Sequence, residues 1–391
     1  MTIKRRILLV TLLVIQTLLP FEGFAASNLI SPLNKLPLDI VKPNSNYSFF
    51  VLGHAYGAPG ATMFPAGSLL AGVEKLNVEN AKFGVLLGDY LQHTSVRSVA
   101  DRQLAIFRKH VSDKITVPLF AVPGNHDFSN RDWYREKIGA DFNIFDYGNS
   151  SFFLLNTERK WPCGLGEDQT AKVIKKVRQL EEQSEIENVF FLMHQPLWIV
   201  GNPKLEIVSP WVNGGPLDEK CGKFNDDIVK NIQNLASKAS VYFVAGDVGC
   251  KNYSKGKVPI ESFPVFFHKD TANNLTYVAS GICGNENDNF IRITVNGDDV
   301  KFDVESFSNR EWPNIETFNI SYWEKSFEPQ ADLAVDQGTS TQSKKVVKQL
   351  FLKLASLVKN KKFILGLCLG FLASIIFMSA IRLFLRRRVT N

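Results

Sequence analysis

The body of this 391-residue chain has no surplus of positive charge. The formal net charge is +6, but residues 1–25, 344–362 and 363–391 carry +2, +7 and +4, which leaves residues 26–343 at −7. Nucleic-acid binding rests on basic surface that neutralises phosphates, so an acidic body excludes nucleic acid as the main partner. Residues 47–325 contain no internal repeat, which excludes an array of stacked units. Cysteine is scarce: Cys368 lies in an apolar segment, and Cys163, Cys221, Cys250 and Cys283 lie in the body. In an oxidising compartment those four permit two disulfides in three connectivities; in a reducing one they are four buried thiols. No compositional bias marks a disordered or collagen-like chain, since apolar residues make up 45% and charged residues 21%.

The two ends are where the composition departs from the ordinary. Lys4-Arg5-Arg6 precedes an apolar run from Ile7 to Leu19, then Pro20 and the small-residue site ending in Ala25. Residues 1–25 therefore read as a secretory signal peptide, and 26–46 as an N-terminal extension. Residues 363–381 contain no charge and are long enough to span a bilayer as a helix. Arg382 and Arg386–Arg388 follow, so 382–391 reads as a basic cytoplasmic tail. Residues 326–343 are polar, as in a flexible linker. Residues 344–362 set apolar side chains at helical spacing among seven lysines, the pattern of an amphipathic helix on an anionic membrane surface. The expectation is a single-pass membrane protein with its main domain, 47–325, outside the cytoplasm, on a periplasmic, extracellular or lumenal face. Membrane lipid is then one of its partners.

Within 47–325, short apolar runs alternate with helix-like polar stretches. The runs are 48–52, 83–87, 118–122, 189–193, 241–245 and 275–279, rich in Phe and Val, as strands covered on both faces are. Residues 67–76, 98–112 and 167–185 read as helices. Such alternation implies an α/β sheet. Asn296-Gly297, between the runs 290–294 and 299–305, marks a closing hairpin.

Polar residues collect where the runs end. The exits read Gly53-His54-Ala55-Tyr56, Gly88-Asp89-Tyr90, Gly124-Asn125-His126-Asp127, His194-Gln195 and Gly246-Asp247-Val248-Gly249. Ligands of α/β sheets bind beyond the carboxyl ends of the strands, so these residues can converge. Asp, Asn and His on compact glycine turns suit a hard-to-borderline divalent cation.

In this ordered series the chain resembles the calcineurin-like metallophosphoesterases, a superfamily that includes the purple acid phosphatases. The family pattern runs DxH, GDxx(D/N/Y), GNH(D/E), an isolated His, then GHxH. The resemblance covers roughly 47–307. It implies a four-layer α/β/β/α fold, a β-sandwich flanked by helices, here with a C-terminal transmembrane helix. It implies phosphoester hydrolysis by a metal-bound hydroxide, with manganese, iron, zinc or magnesium as cofactor. The implied substrate is a phosphorylated small molecule or an envelope component. By position, Asp89 matches the carboxylate shared by two metals, and Asn125, His194 and Asp247 match the other ligands of the second. His126 matches the catalytic histidine, with Asp127 orienting it. The first metal is poorly served: His54 replaces Asp, Tyr56 replaces His and Gly249 replaces the last His. One tight cation per chain is therefore expected, with His54 a ligand or a lining residue. Tyr56 and His93 are candidate substrate contacts. If the strands before Cys250 and Cys283 are neighbours, those cysteines pair, and Cys163 pairs with Cys221. The alternative to an enzyme is a catalytically silent relative that binds or scaffolds at the membrane.

Overall fold

The computed structural model describes residues 28–40, 45–57, 63–213, 217–248, 250 and 265–327. The expected signal peptide, juxtamembrane helix, span, basic tail and Gly249 lie outside the described residues. Among the described residues no helix is long and apolar enough to cross a membrane.

A small ladder, β1 (Asn28–Ile30) with β2 (Pro37–Asp39), precedes two large sheets. One sheet contains β3 (Asn46–Leu52), β4 (Ala81–Leu87) and β5 (Leu119–Val122), all parallel. The other contains β6 (Asn143–Tyr147), β7 (Ser150–Leu155), β8 (Asn188–Met193), β9 (Ser240–Ala245), β10 (Val265–Asp270) and β11 (Leu275–Ser280). Its order is β10-β11-β9-β8-β7-β6, with antiparallel pairs only at its two edges. The chain then returns to the first sheet as the hairpin β12 (Asn289–Asn296) and β13 (Asp299–Ser306). That sheet reads β13-β12-β3-β4-β5. The hairpin turns at Gly297, whose φ of 65° is the left-handed conformation that favours glycine.

Side-chain alternation builds the layers. Successive strand residues point to opposite faces, so Phe49 and Val51 of β3 face the other sheet while Phe50 and Leu52 face outward. Phe190 of β8 faces inward likewise, with Phe191 outward. Between the sheets Phe49, Phe83, Phe152 and Phe190 pack with ring centroids 5.0–5.3 Å apart. Helices α1 (Gly67–Gly72), α2 (Arg97–His110) and α3 (Arg131–Lys137) cover the five-stranded sheet through Leu69, Leu104, Phe107 and Trp133. Helix α4 (Glu167–Glu181) covers the six-stranded sheet through Val173, Val177 and Leu180. The result is the expected α/β/β/α layering.

Three differences from the sequence reading have local causes. The β6–β7 hairpin was not expected, because its turn, Gly148-Asn149, joins runs diluted by Asp146, Ser150 and Ser151. Helix α4 stops at Glu181, four residues early, because Glu182, Gln183, Ser184 and Glu185 offer no apolar side chain to bury. At the other end, helix α5 (Ile320–Phe327) carries regular structure two residues into the expected linker. Trp323 anchors that helix: it is buried, and its indole N–H donates to the Val265 carbonyl at 2.9 Å.

Candidate metal centre

Five strands deliver the centre. β3 ends at Leu52 and presents His54, β4 presents Asp89, β5 presents Asn125, β8 presents His194 and β9 presents Asp247. The parallel strands end side by side, so their exits meet at one end of the sandwich. Two backbones are strained to do this: His54 has φ 56° and Asp89 has φ 54°, a conformation costly for residues with a Cβ and concentrated at functional sites. Gly88, with φ 80°, has its own reason to lack a side chain. A Cβ there would lie 2.5 Å from His194 Nδ1.

His54, Asp89 and Asp247 each offer an atom within 4.8 Å of the others, and all three are buried. His54 Nε2 is 3.7 Å from Asp89 Oδ2, and His194 Nε2 is 3.5 Å from the same oxygen. His194 Nε2 also lies 3.7 Å from Asp247 Oδ2 and 3.2 Å from Asn125 Oδ1. The two imidazoles are held alike. His54 Nδ1 is 3.1 Å from the Ile282 carbonyl, and His194 Nδ1 is 2.9 Å from the Leu87 carbonyl. A carbonyl only accepts, so each Nδ1 carries a proton; the Nε2 of neutral His54 turns a lone pair toward the carboxylates, and that of His194 does so once it gives up its second proton. This is how proteins set the tautomer of metal-binding histidines.

The donor set fits a divalent cation. Both oxygens of Asp247 are buried without a hydrogen-bond partner, and a buried carboxylate left so is costly unless a cation meets it. Two imidazole nitrogens, two carboxylates and an amide oxygen form a borderline nitrogen–oxygen set. The electrostatics point the same way. Burial raises Asp89 to about 7, with Asp247 repelling it and His194 opposing the rise. Burial lowers His54 to about 4 and keeps it neutral. Burial would also lower His194, but Asp89, Asp247 and Glu158 outweigh it and raise it to about 9. Negative charge is in excess until a cation, or a proton on His194, offsets it.

His54 and Asp247 match positions assigned to different metals, yet here they converge on one point. The structure thus gathers His54, Asp89 and Asp247 at one point, and His194, with Asn125 on its Nε2, adjoins that cluster through the Asp89 and Asp247 carboxylates. Tyr56 is not among the ligands. Burial, then Asp89 and Asp247, hold its phenol well above the ordinary value, so it stays protonated. Its hydroxyl lies 3.2 Å from His126 Nε2, and His126 Nδ1 lies 2.8 Å from the Gln92 carbonyl.

Asp127 does something other than orient His126. Its carboxylate accepts the backbone N–H groups of Asp89 (2.5 Å), Leu91 (2.8 Å) and Gly124 (2.9 Å). It clamps two ligand-bearing turns together, and the Gln92 carbonyl orients the His126 ring. His93 is exposed, with its backbone N–H on Gln103. Two disulfides, Cys163–Cys221 and Cys250–Cys283, are formed. The second ties the segment after Asp247 to the segment whose Ile282 carbonyl holds His54.

The sequence reading missed Glu158. It is buried, its carboxylate accepts from Thr157 Oγ1 at 2.9 Å, and it contributes to the field on His194. Thr157 Oγ1 in turn accepts from the Gln195 N–H at 3.2 Å. The signal was present: β7 is another strand whose exit, Asn156-Thr157-Glu158, is polar.

The calcineurin-like phosphoesterase family model matches residues 64–250. No curated protein matches the sequence. Among solved structures, the chain is similar to a dimetal phosphatase from Danio rerio at 13% identity and a TM-score of 0.46, over 68% of this chain and 98% of that one. It is similar to a purple acid phosphatase from yellow lupin (Lupinus luteus) seeds at 16% identity and a TM-score of 0.49, over 71% of this chain and 54% of that one. It is also similar to GAP50, the anchor in the inner membrane complex of Plasmodium, at 12% identity and a TM-score of 0.42, over 68% of this chain and 87% of that one.

Proposed function

This chain is a divergent member of the calcineurin-like phosphoesterases, and from that premise we propose that it is a metal-dependent phosphoesterase tethered to a membrane, with its body outside the cytoplasm. The observation that carries the catalytic reading is the convergence of His54, Asp89 and Asp247, with neither Asp247 oxygen hydrogen-bonded. His54, Asp89, Asn125, His194 and Asp247 would hold the cation. A divalent cation there would lower the pKa of water toward neutrality and neutralise charge on phosphoryl oxygens. The chain's own groups do the rest. Asp89 receives the His126 N–H at 3.0 Å on Oδ1 and keeps Oδ2 turned to the two histidines. Asp127 holds the turns in register. His126, half-buried beside the exposed Asn125, faces the open side, where a phosphomonoester or phosphodiester of a small molecule or envelope component would enter. The exported location is supported by the signal-like residues 1–25 and by two disulfides, which suit an oxidising compartment. The apolar residues 363–381 support the anchor.

The test is elemental analysis of the purified protein together with turnover of an aryl phosphate and a bis-aryl phosphodiester. About one tightly held metal per chain is expected, from the one cluster that His54, Asp89 and Asp247 form, with turnover that Asp89→Ala abolishes along with the metal. Metal content unchanged in Asp89→Ala would contradict the centre. A second reading, a silent relative that binds at the membrane, is favoured by the burial of four ligands at 0–1% exposure and by the Tyr56 contact on His126. Metal bound without turnover of either ester decides for it.

A further inference from the structure

The contact between Tyr56 and His126 has a fixed direction. The Gln92 carbonyl, 2.8 Å from His126 Nδ1, can only accept, so Nδ1 carries the ring proton. In the neutral ring Nε2 is then the acceptor, and the partner 3.2 Å away, the Tyr56 hydroxyl, is the donor. Both nitrogens of the one histidine that faces the open side are therefore occupied by the protein itself. Tyr56 is held firmly in this position. Its backbone N–H donates to the Asp89 carbonyl at 3.0 Å, and it is 5% exposed. Its ring is wedged between His54 and His126, with centroids 4.4 and 4.9 Å away.

We propose that Tyr56 is a latch on His126, a positioning residue that closes Nε2 in the resting protein and yields it to a phosphoryl oxygen. Such an oxygen is a better acceptor than an imidazole nitrogen because it carries charge. Its arrival exchanges one acceptor of the Tyr56 O–H for another without leaving the hydroxyl unpaired. His126 Nε2 is freed in the same event. The side chain that stands where the family pattern has a first-metal histidine thus becomes a phosphate-sensing donor. The consequence for turnover rests on the proposed function, whereas the latch itself does not.

The experiment is carbethoxylation of the purified full chain with diethyl pyrocarbonate, with each histidine followed by peptide mass mapping. The reagent needs a free imidazole nitrogen. Tyr56→Phe keeps the ring and removes only the hydroxyl, and His126 in it should react about five- to ten-fold faster than in the native protein, the factor that one ordinary hydrogen bond represents. His93 should react equally in both proteins. Within the native protein alone, His126 should react more slowly than His110 and His268, which are half-buried as it is. Equal His126 rates in the native protein and Tyr56→Phe overturn the latch. So does a native His126 as reactive as His110 and His268, a comparison that requires no variant to fold. Aryl phosphate turnover is read in parallel. Faster modification with no turnover by either protein upholds the latch and counts against the phosphoesterase reading.

Discussion

Replacing Asp247 with asparagine distinguishes a metal ligand from a carboxylate that merely caps a turn. Asp247 is 1% exposed and makes no hydrogen bond through either oxygen. Without metal, two large effects of its charge oppose. His194, protonated at neutral pH because it is raised to about 9, lies 3.7 Å away and attracts it. Asp89, within 4.8 Å, repels it. At an effective dielectric constant of ~20 the attraction is about 4.5 kcal/mol, while Asp89, raised to about 7 and so about half ionised at neutral pH, repels with at least about 1.7 kcal/mol. Chelated Asp247→Asn should therefore be less stable than the chelated native protein by no more than about 3 kcal/mol, or about 6–12 °C for a domain of this size. With metal the two proteins should part. At a metal concentration ~100 times the native Kd, the native protein gains about 2.7 kcal/mol. A site weakened about 100-fold by loss of a carboxylate gains only about 0.4 kcal/mol at the same concentration. Thermal melts in chelator and in manganese or zinc measure both quantities. The native protein should rise by about 5–10 °C with metal and the variant by about 1–2 °C. A variant that keeps the full native rise would show that Asp247 is not a ligand, and the single-centre reading would go with it.

Gly88→Ala puts a Cβ against His194 Nδ1 in a left-handed backbone; it should cost at least about 1–2 kcal/mol from the backbone alone, with loss of the metal-induced melting shift as the diagnostic. Phe190→Ala opens a cavity beside Phe49, Phe152 and Tyr242; it should cost about 3–5 kcal/mol, read as a lower urea midpoint at unchanged slope. Asp141 accepts from Arg159 (2.7 and 3.1 Å), Arg135 (3.2 Å) and Asn156 (3.0 Å). Burial would raise it, but Arg159 and Arg135 outweigh burial and hold it below the ordinary value. A carboxylate so depressed stabilises the fold fully above its unfolded pKa of about 4 and loses that contribution as pH falls through the lower folded value. Asp141→Asn should therefore cost about 1.5–3 kcal/mol at pH 7. Urea titrations should show the gap closing below about pH 4; a gap unchanged at pH 3 would refute the assignment.

Six of the parallel-sheet strands were legible because strands buried on both faces leave nearly unbroken apolar runs, as in Phe83–Leu87 and Val189–Met193. The two edge strands of the six-stranded sheet were not, because polar residues dilute the run: β10 carries His268, Lys269 and Asp270, and β6 carries Asn143 and Asp146; interior β7 was missed with them because it opens on Ser150 and Ser151. The ligand candidates were legible for a related reason. A polar residue directly after a buried run is expensive unless something uses it, so Asp89, Asn125, His194 and Asp247 stood out one exit at a time. Glu158 did not, because its strand had not been recognised and its exit was never inspected.

The sequence by itself determined the strand–helix alternation of an α/β fold, the closing hairpin and the inventory of metal-binding side chains, since each depends on periodicity or on neighbours a few residues away; the layering was implied only by the family resemblance. It also held the departure from the family pattern at His54 and Tyr56. Only the tertiary structure decided what that departure does, because side chains up to 193 positions apart, from His54 to Asp247, meet only when two sheets close on one another. Packing brought His54 to the same point as Asp247 and set both imidazoles by distant carbonyls. It turned Asp127 into a clamp on the backbone and laid the Tyr56 hydroxyl on His126. Residue types can list what could bind a cation; distance, burial and the direction of each hydrogen bond select which of them face it.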